Sequence, residues 1–323
     1  MLAAPPRAAS TQRVHPPVAA ASGLESDVAG ACATGFSEGH DEGSCDPDRH
    51  RRRQDSPAGR AGRGKHRLAN TFLDRQWTDP LPILAWAIEH PEGLIVVDTG
   101  ETARTSEPGY FPRWHPYFRT CLREWVAPED EVGPQLDRLG LSAREVCWVV
   151  MTHLHTDHAG GLHHFPDSEI LVSQAELEKA SGRMGRMRGY LNNRFPGWFD
   201  PRGIDFLAES VGPFPESFTL TAAGDVRLVP VPGHTAGQLA VIVQDEGSSI
   251  FLAGDSSYTE DLMLRGAVDG IAPDEAAARR TLERIRIYAG TTPTVYLPSH
   301  DPESASRLAR RRTVPTAPEK SSA

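Results

Sequence analysis

The stretch MTHLHTDHAGG, residues 151–161, places three histidines and one aspartate within six consecutive positions. It follows the apolar pentapeptide VCWVV, whose composition is typical of a buried β-strand. Because alternate side chains of an extended chain point the same way, His153 and His155 can converge on one cation. Asp157 and His158 are neighbours, so their side chains diverge and can reach a second cation. Imidazole nitrogens and carboxylate oxygens are ligands that zinc prefers, so the stretch predicts a metal site at a strand end.

The spacing His153-x-His155-x-Asp157-His158 resembles the signature of the metallo-β-lactamase superfamily. The other interpretation, a histidine-rich surface turn that binds no metal, is disfavoured because the motif directly follows a strand. Proteins of that superfamily fold as an αββα sandwich with metal ions at the sheet ends. The resemblance therefore implies a layered α/β fold, of the α+β type, and further metal ligands downstream.

Three turns downstream offer these ligands in the order that the superfamily requires. His234 lies in the turn GHTAG after an apolar strand, and Asp255 follows a glycine at another strand end. His300 lies in the sequence PSHD after a last strand. The resemblance implies two metal ions and seven protein ligands: His153, His155, Asp157, His158, His234, Asp255 and His300.

The resemblance also divides these ligands between two groups, named here site 1 and site 2. Site 1 comprises His153, His155 and His234. Site 2 comprises Asp157, His158 and His300. Asp255 bridges the two metal ions in this scheme, and a shared carboxylate suits two dications because it offsets their mutual repulsion. Zinc is expected from the ligand types, although cobalt, manganese or iron fit the same donors.

The turn Asp98-Thr99-Gly100 follows the apolar run LIVV. In the superfamily the aspartate of this turn lies beneath the metal ions and supports a ligand histidine, whose ring needs such a partner to fix its orientation. An aspartate that only caps the turn fits the sequence equally well. Both interpretations of Asp98 therefore stand.

Apolar runs between turn signals predict the secondary structure. The predicted strands are residues 81–88, 94–97, 146–150, 169–173, 226–231, 239–243, 249–253 and 294–297. The predicted helices are residues 131–139, 174–180 and 273–289, and the last is expected to stop at Gly290. Two aromatic-rich segments are expected to be largely irregular. The aromatic side chains of residues 101–132 either line a substrate mouth or just pin their loop to the core, and the second is expected. Those of residues 181–224 form either a lid over the metals or ordinary packing.

Composition divides the 323 residues into three parts. Residues 1–68 are rich in Ala, Pro, Gly, Ser and Arg and hold few large apolar side chains. They are expected to be a disordered extension, because so little apolar burial cannot offset the entropy of ordering. Residues 69–312 are expected to form the metallo-β-lactamase-fold domain, and residues 313–323 a disordered tail.

Composition also disfavours several classes of function. The formal net charge of −9 argues against a general nucleic-acid binder. No apolar run is long enough to span a membrane, and the first residues lack the apolar core of a secretory signal. The four cysteines have no pairing pattern and fit a reducing compartment. The expectation is a cytoplasmic protein that acts on a small molecule, without nucleic-acid or membrane partners; the sequence does not predict its oligomeric state.

Within the superfamily the chain looks most like the N-acyl-homoserine lactonases. That group carries a tyrosine three residues after the bridging aspartate, and Asp255-Ser256-Ser257-Tyr258 has this spacing. The resemblance implies a quorum-quenching hydrolase in which a hydroxide that bridges two metal ions opens the lactone ring. By the same resemblance, Tyr258 stabilises the oxyanion and Asp157 passes a proton to the departing alkoxide.

Two alternative functions stand beside this one. A glyoxalase-II-like thioesterase is a hydrolase on the same scaffold, and it would bind a glutathione carboxylate through basic residues for which the sequence shows no clear C-terminal motif. A di-iron oxidoreductase would ordinarily carry a flavin domain, and the sequence after His300 is too short to be one. Comparing the turnover of a lactone with that of a thioester distinguishes the lactonase from the glyoxalase-II-like thioesterase.

Overall fold

The computed structural model describes residues 12–17, 72, 80–245 and 247–315. Most of the predicted disordered extension, residues 1–68, lies outside the described residues, as does the end of the predicted tail. The structure departs from both predictions where it describes them. Arg13–Val14 forms a short strand, because its backbone pairs with an edge strand of the domain. Val314 is buried and its amide donates to the carbonyl oxygen of Thr294, so ordered packing passes the predicted boundary at residue 312.

Two β-sheets form the centre of the fold. Among the described residues, the first sheet has six strands in the order β1 to β6: Arg13–Val14, Trp86–Glu89, Leu94–Val97, Val146–Val150, Glu169–Ser173 and Arg202–Ile204. The second has five described strands in the order β11-β10-β9-β8-β7. In chain order, β7 to β11 are Phe218–Thr219, Val226–Pro230, Leu239–Asp245, Ser248–Gly254 and Thr294–Pro298. Strands β3 to β6 are mutually parallel, as are β10 and β11.

Side-chain alternation along the strands gives each sheet two apolar faces. In β9, Leu239 and Val241 face the first sheet, whereas Ala240 packs into a separate cluster on the outer face. In β3, Ile95 faces the second sheet and Val96 the outside. Each sheet therefore needs a second layer to cover its outer face.

Helices supply these outer layers. The helices of the described residues are α1 to α8: Pro116–Thr120, Val132–Arg138, Thr156–Ala159, Gln174–Ala180, Gly182–Met187, Glu260–Arg265, Glu275–Thr291 and Ser304–Ala309. Val132 and Leu136 of α2 pack on the first sheet. Leu282 and Ile285 of α7 pack on the second sheet. The order of layers is helix, sheet, sheet, helix, which confirms the predicted αββα sandwich.

Some element boundaries differ from the predicted ones. Helix α7 does not end at Gly290 but continues to Thr291, because buried Tyr288 and Ala289 hold its last turn against the sheet. The first predicted strand, residues 81–88, begins only at Trp86 in the structure. Before it, the amide of Leu84 donates to the carbonyl oxygen of Ser299 instead of to a strand partner. Residues 181–224 are not wholly irregular, since they contain α5, β6 and β7. These are short elements with weak periodicity, so the sequence gives little sign of them.

Leu252 tests how much the contact between the sheets contributes to stability. It lies in β10, is fully buried, and belongs to the cluster between the two sheets. Leu252→Ala should lower the free energy of unfolding by about 2–5 kcal/mol, because it leaves a cavity that packed neighbours cannot fill. Urea denaturation measures this loss. Leu264→Ala is the matched control, because Leu264 is exposed and its change should stay within about 0.5 kcal/mol. Equal losses in both variants would contradict the assignment of the core.

Strand ends bring distant parts of the sequence to one edge of the sandwich. The amide of Asp98, directly after β3, donates to the carbonyl oxygen of Val150 at the end of β4. The amide of Leu239 donates to the carbonyl oxygen of Thr152, which ties the second sheet to the first. The candidate ligands follow β4, β8, β10 and β11, so this edge collects them. Within the described part of the chain, no helix combines the length and hydropathy needed to cross a membrane.

Candidate metal centre

Site 1 is assembled from two loops. The donor atoms of His153, His155 and His234 all lie within 4.8 Å of one another. The Nδ1 atom of His155 lies 3.0 Å from the Nε2 atom of His234. His153 and His155 stand on the loop between β4 and α3, whereas His234 follows β8. The structure therefore brings together the three histidines that the sequence analysis grouped.

Site 2 lies beside it and is formed by helix α3 and the loop after β11. The donor atoms of Asp157, His158 and His300 lie within 4.8 Å of one another, and all three residues are buried. Asp157 Oδ2 is 3.3 Å from the Nε2 atom of His300. Asp157 and His158 occupy the single turn of α3, so consecutive side chains leave the chain in different directions. Both side chains nevertheless reach site 2, where Asp157 Oδ2 lies 3.9 Å from His158 Nε2, and the His158 ring also lies 4.0 Å from the His153 ring of site 1.

Asp255 lies between the two sites. Its Oδ1 atom is 3.2 Å from the Nε2 atoms of both His158 and His300. Its Oδ2 atom is 3.6 Å from the Nε2 atom of His234. One carboxylate oxygen thus faces site 2 and the other faces site 1. This is the geometry that a bridging carboxylate requires.

The chemistry of these donors fits metal ions. The Nε2 atom of His153 is buried and has no hydrogen-bond partner among the described residues. Burial and the neighbouring imidazoles, first that of His158, lower the pKa of His153 well below its ordinary value. This imidazole is therefore neutral, with a lone pair available for a cation. Burial alone would raise the pKa of Asp255, but His300 and His158 hold it well below its ordinary value, so this carboxylate is anionic.

Carboxylates around His158 favour positive charge at this point. Burial opposes protonation of the ring, but Asp255 and Asp98 outweigh it and raise the pKa of His158 to about 10. Asp98 Oδ2 lies 2.8 Å from His158 Nδ1, and the backbone amide of Thr152 donates to Asp98 Oδ1 over 2.7 Å. Of the two interpretations of Asp98, the structure thus favours support of a histidine. Asp98 adopts a φ of 59°, a strained conformation for a residue other than glycine, of the kind that clusters at functional sites.

Two further supports were not predicted from the sequence. His234 Nδ1 lies 2.9 Å from Asp269 Oδ2, and Asp269 Oδ1 accepts hydrogen bonds from two backbone amides, which hold its carboxylate in place. His300 Nδ1 lies 2.8 Å from the carbonyl oxygen of Pro82. Both partners orient an imidazole from the side opposite the cluster. In the sequence Asp269-Gly270 is only a turn signal and Pro82 has no signal at all, so neither contact could be found without the fold.

Glu176 joins the two loops that carry site 1, and sequence reasoning missed it. Its side chain is fully buried at the start of α4. Its Oε1 atom accepts from the amide of Leu154 over 3.1 Å, between the two histidines of the first loop. Its Oε2 atom accepts from the Thr235 hydroxyl over 2.7 Å and from the Gly237 amide over 3.2 Å. One carboxylate therefore fixes the distance between the loop of His153 and that of His234.

Glu176→Gln should disturb this link without removing any candidate ligand. The amide keeps one acceptor oxygen, but its NH₂ group faces donors and leaves a buried group unsatisfied. We expect a loss of about 1–3 kcal/mol in the free energy of unfolding and a fall of about tenfold in kcat/KM. Thermal unfolding and steady-state kinetics measure the two effects. Glu178→Gln, on the exposed side of the same helix, is the matched control and should change neither quantity. A Glu176 variant that behaves like this control would remove the positioning role.

A cavity of about 630 Å³ opens beside the candidate ligands. His155, Asp157, His234 and Asp255 form part of its wall. Most of the remaining wall comes from the two aromatic-rich segments, residues 101–132 and 181–224, including Tyr117, Phe118, Leu122, Met187 and Tyr190. Ile271 adds to it from the second half of the chain. The ring of Tyr190 lies 5.0 Å from that of His155. The donors thus form a polar part of the wall and these side chains an apolar part, while Glu124, Lys179 and Arg188 add charged groups.

Each of the two aromatic-rich segments both packs in an apolar cluster and lines the cavity. In residues 101–132, Phe118 belongs to a small apolar cluster that anchors the loop and also lines the cavity. The prediction that these side chains only pin the loop is therefore incomplete. In residues 181–224, Tyr190 lines the cavity, whereas Phe195 and Phe199 pack against the core of the first sheet. Trp198, another aromatic residue of this segment, is 39% exposed and so is not part of the buried core.

Tyr258 lies at the edge of this region. Its ring centroid is 5.5 Å from that of His300, in an edge-on arrangement. The side chain is half-buried, and it is not among the described residues that line the cavity. The structure therefore places Tyr258 next to site 2 rather than in the cavity wall. Its predicted contact with a substrate stays a prediction.

Comparisons with known proteins were consistent with this arrangement. A family model described as the metallo-beta-lactamase superfamily matches residues 78–300, a range that includes all seven candidate ligands. N-acyl homoserine lactonase AttM of Azorhizobium caulinodans is 26% identical over 230 residues, which cover 69% of this chain and 83% of that protein.

Solved structures show the same fold. An N-acyl homoserine lactone hydrolase, with N-hexanoyl-L-homoserine bound at its catalytic metal centre, gives a TM-score of 0.58 at 22% identity, covering 76% of this chain and 89% of that chain. AidC, a dizinc quorum-quenching lactonase, gives a TM-score of 0.53 at 18% identity, covering 77% of this chain and 84% of that chain.

Proposed function

The chain belongs to the metallo-beta-lactamase superfamily, and we propose that it is a metal-dependent hydrolase that opens the lactone ring of N-acyl homoserine lactones. The family match spans more than half of the chain and confirms the resemblance that the histidine motif indicates. AttM, most of whose length is covered, is named for this activity. Two lactonases also share the fold.

One observation carries the proposal: the Asp255 carboxylate faces both donor sets and also lines the cavity. A cyclic ester held at this wall would have its carbonyl carbon beside both proposed metal positions. The acyl chain would lie along the apolar wall, where Leu122 and Met187 offer hydrocarbon surface. A polar ring would thus lie at the candidate ligands and an apolar chain along the apolar part of the wall.

The proposed mechanism is hydrolysis of the ring ester. When bound, two metal ions would polarise the ester carbonyl and supply hydroxide at neutral pH. Tyr258 would donate its phenol hydrogen to the oxyanion that develops at the lactone carbonyl. Asp157 would deliver a proton to the alkoxide that leaves when the ring C–O bond breaks. One water is consumed: its hydroxide adds to the carbonyl carbon and its proton passes through Asp157 to the alkoxide. The product carries one new carboxylate and one new hydroxyl group, and the proton of the new acid is released to solvent.

We infer that the metal is zinc and that two ions bind per chain. Sites 1 and 2 offer imidazole nitrogens and carboxylate oxygens, which suit zinc. AidC, of the same fold, is a dizinc enzyme. Cobalt, manganese and iron fit the same donors, so metal analysis of the purified protein decides among them. The cytoplasmic location expected from the sequence stays a prediction.

The decisive experiment combines metal content with turnover of three substrates. These are a long-chain N-acyl homoserine lactone, S-lactoylglutathione and a chromogenic cephalosporin. Two zinc ions per chain with lactone opening dominant is the expected result. A dominant thioesterase activity would overturn the substrate and favour the glyoxalase-II-like alternative. Absence of metal from an active protein would overturn the mechanism itself.

A further inference from the structure

A second group of metal-type donors lies outside the candidate metal centre. It comprises Glu131, His163 and His164, whose donor atoms lie within 4.8 Å of one another. Glu131 Oε2 is 3.1 Å from His163 Nε2 and 2.6 Å from His164 Nε2. The two histidine rings lie side by side with centroids 4.1 Å apart. None of these three residues belongs to site 1 or site 2, so the group needs its own explanation.

The carboxylate of this group is held in place from behind. Glu131 precedes α2, and its side chain is only 9% exposed. Its Oε1 atom accepts from the Thr102 hydroxyl over 3.1 Å and from the Ala103 amide over 2.8 Å. The other oxygen, Oε2, is thereby aimed at the two histidines. Such backing contacts are typical of carboxylates that ligate metals.

The hydrogen bonding of His163 favours a cation between it and Glu131. Its Nδ1 atom lies 3.3 Å from the carbonyl oxygen of Gly160, a contact that requires the ring hydrogen on Nδ1. A neutral His163 then presents the lone pair of Nε2 to the carboxylate oxygen of Glu131. Two lone pairs 3.1 Å apart repel unless a proton or a metal ion lies between them.

The fold leaves room for the group and a path to it. A Cβ atom on Gly133 would come within 2.5 Å of His164 Nδ1, so the absence of a side chain there lets the ring lie against α2. His163 is 44% exposed and His164 22% exposed, so an ion can enter from solvent. The fourth ligand position would face water.

We propose that Glu131, His163 and His164 bind a third divalent metal ion of the borderline class, such as zinc. Two imidazoles and one carboxylate with an open position form a well-known zinc donor set. Magnesium and calcium, which require several oxygen ligands, do not fit it. Protons compete with the metal for the same nitrogens, and the hydrogen bond with Glu131 raises the pKa of His163. Affinity at this site therefore falls as the pH is lowered.

The test is a zinc titration of the protein whose first two metal ions are already bound, at pH 7.5 and again at pH 5.5. Equilibrium dialysis with metal analysis should detect a third zinc per chain at the higher pH, and Mg²⁺ should not replace it. His163→Gln should lower the affinity for the third ion by at least about tenfold and leave the first two ions bound. His164→Gln is a second variant with the same expectation. Visible absorption of Co²⁺ added in place of zinc gives an independent readout.

His15→Gln is the matched control. His15 contacts Glu89 in the same kind of histidine–glutamate pair but belongs to no three-donor group among the described residues. This variant should keep the third ion. No third ion in the parent protein, or a third ion unaffected in both His163→Gln and His164→Gln, would overturn the proposal. Neither outcome bears on lactone opening, so the proposed function is judged separately.

Discussion

Asp255→Asn should abolish most of the lactone turnover, with a fall in kcat/KM of more than about 10³-fold. Its two carboxylate oxygens face different donor sets, 3.2 Å from His158 Nε2 on one side and 3.6 Å from His234 Nε2 on the other. Asparagine offers an acceptor oxygen to only one of them and turns an NH₂ group towards the other. It also removes the one negative charge that both proposed metals share. Metal content should therefore drop below two ions per chain.

Asp261→Asn is the control for this change. Asp261 lies on α6, is exposed and pairs with Arg265. The same chemical substitution there should leave metal content and turnover unchanged. Circular dichroism of both variants establishes that the fold is retained. An Asp255→Asn protein that keeps two metals and full activity would refute the bridging assignment.

Tyr258→Phe should retain both metals and reduce kcat on lactones by about 10²-fold, with little change in KM. The reason is the loss of one hydrogen-bond donor that acts mainly on the charge that develops in the transition state. The ring itself, which packs edge-on against His300 at 5.5 Å, is kept by phenylalanine. Support for the histidine by packing should therefore survive.

This prediction is the sharpest test of the substrate. Tyr258 is not one of the described residues that line the cavity. Its hydroxyl would therefore reach the lactone carbonyl from the side of site 2, where its ring lies beside His300. Tyr288→Phe is the control, because the Tyr288 hydroxyl bonds Gln244 on the outer side of the second sheet. A Tyr258 variant with the lactone rate of this control would remove the main reason for preferring lactones over other esters.

The sequence predicts those parts of the molecule that depend on local pattern. The predicted bounds of β3 and β5 match the structure to the residue, because apolar runs with clear turn signals leave few choices of boundary. The candidate ligands were found because each one follows a strand end in a recognisable turn. The structure brings all seven together.

The supports of the site depend on tertiary contacts and could not be predicted in this way. Glu176 is one of two glutamates in the short helix α4, and only the fold shows that it reaches two loops. Asp269 is 35 residues from His234, in a segment without periodicity. The strand at Arg13–Val14 is only two residues long, so it shows no periodicity in the sequence. Physical proximity, rather than residue type, identifies such positions.

Each site takes its donors from both sheets, and this arrangement couples metal binding to folding. In each site, two donors come from the segment that follows β4 of the first sheet, the loop in site 1 and helix α3 in site 2. The third donor stands on a loop of the second sheet, His234 in site 1 and His300 in site 2. A bound ion is therefore a clamp between the two halves of the sandwich, and an isolated half would bind it poorly. The supply of metal would then affect folding. A free metal concentration of about 100 times Kd would add about 2.7 kcal/mol per site to the free energy of unfolding. Starvation for the metal would thus lower the amount of folded protein as well as its activity.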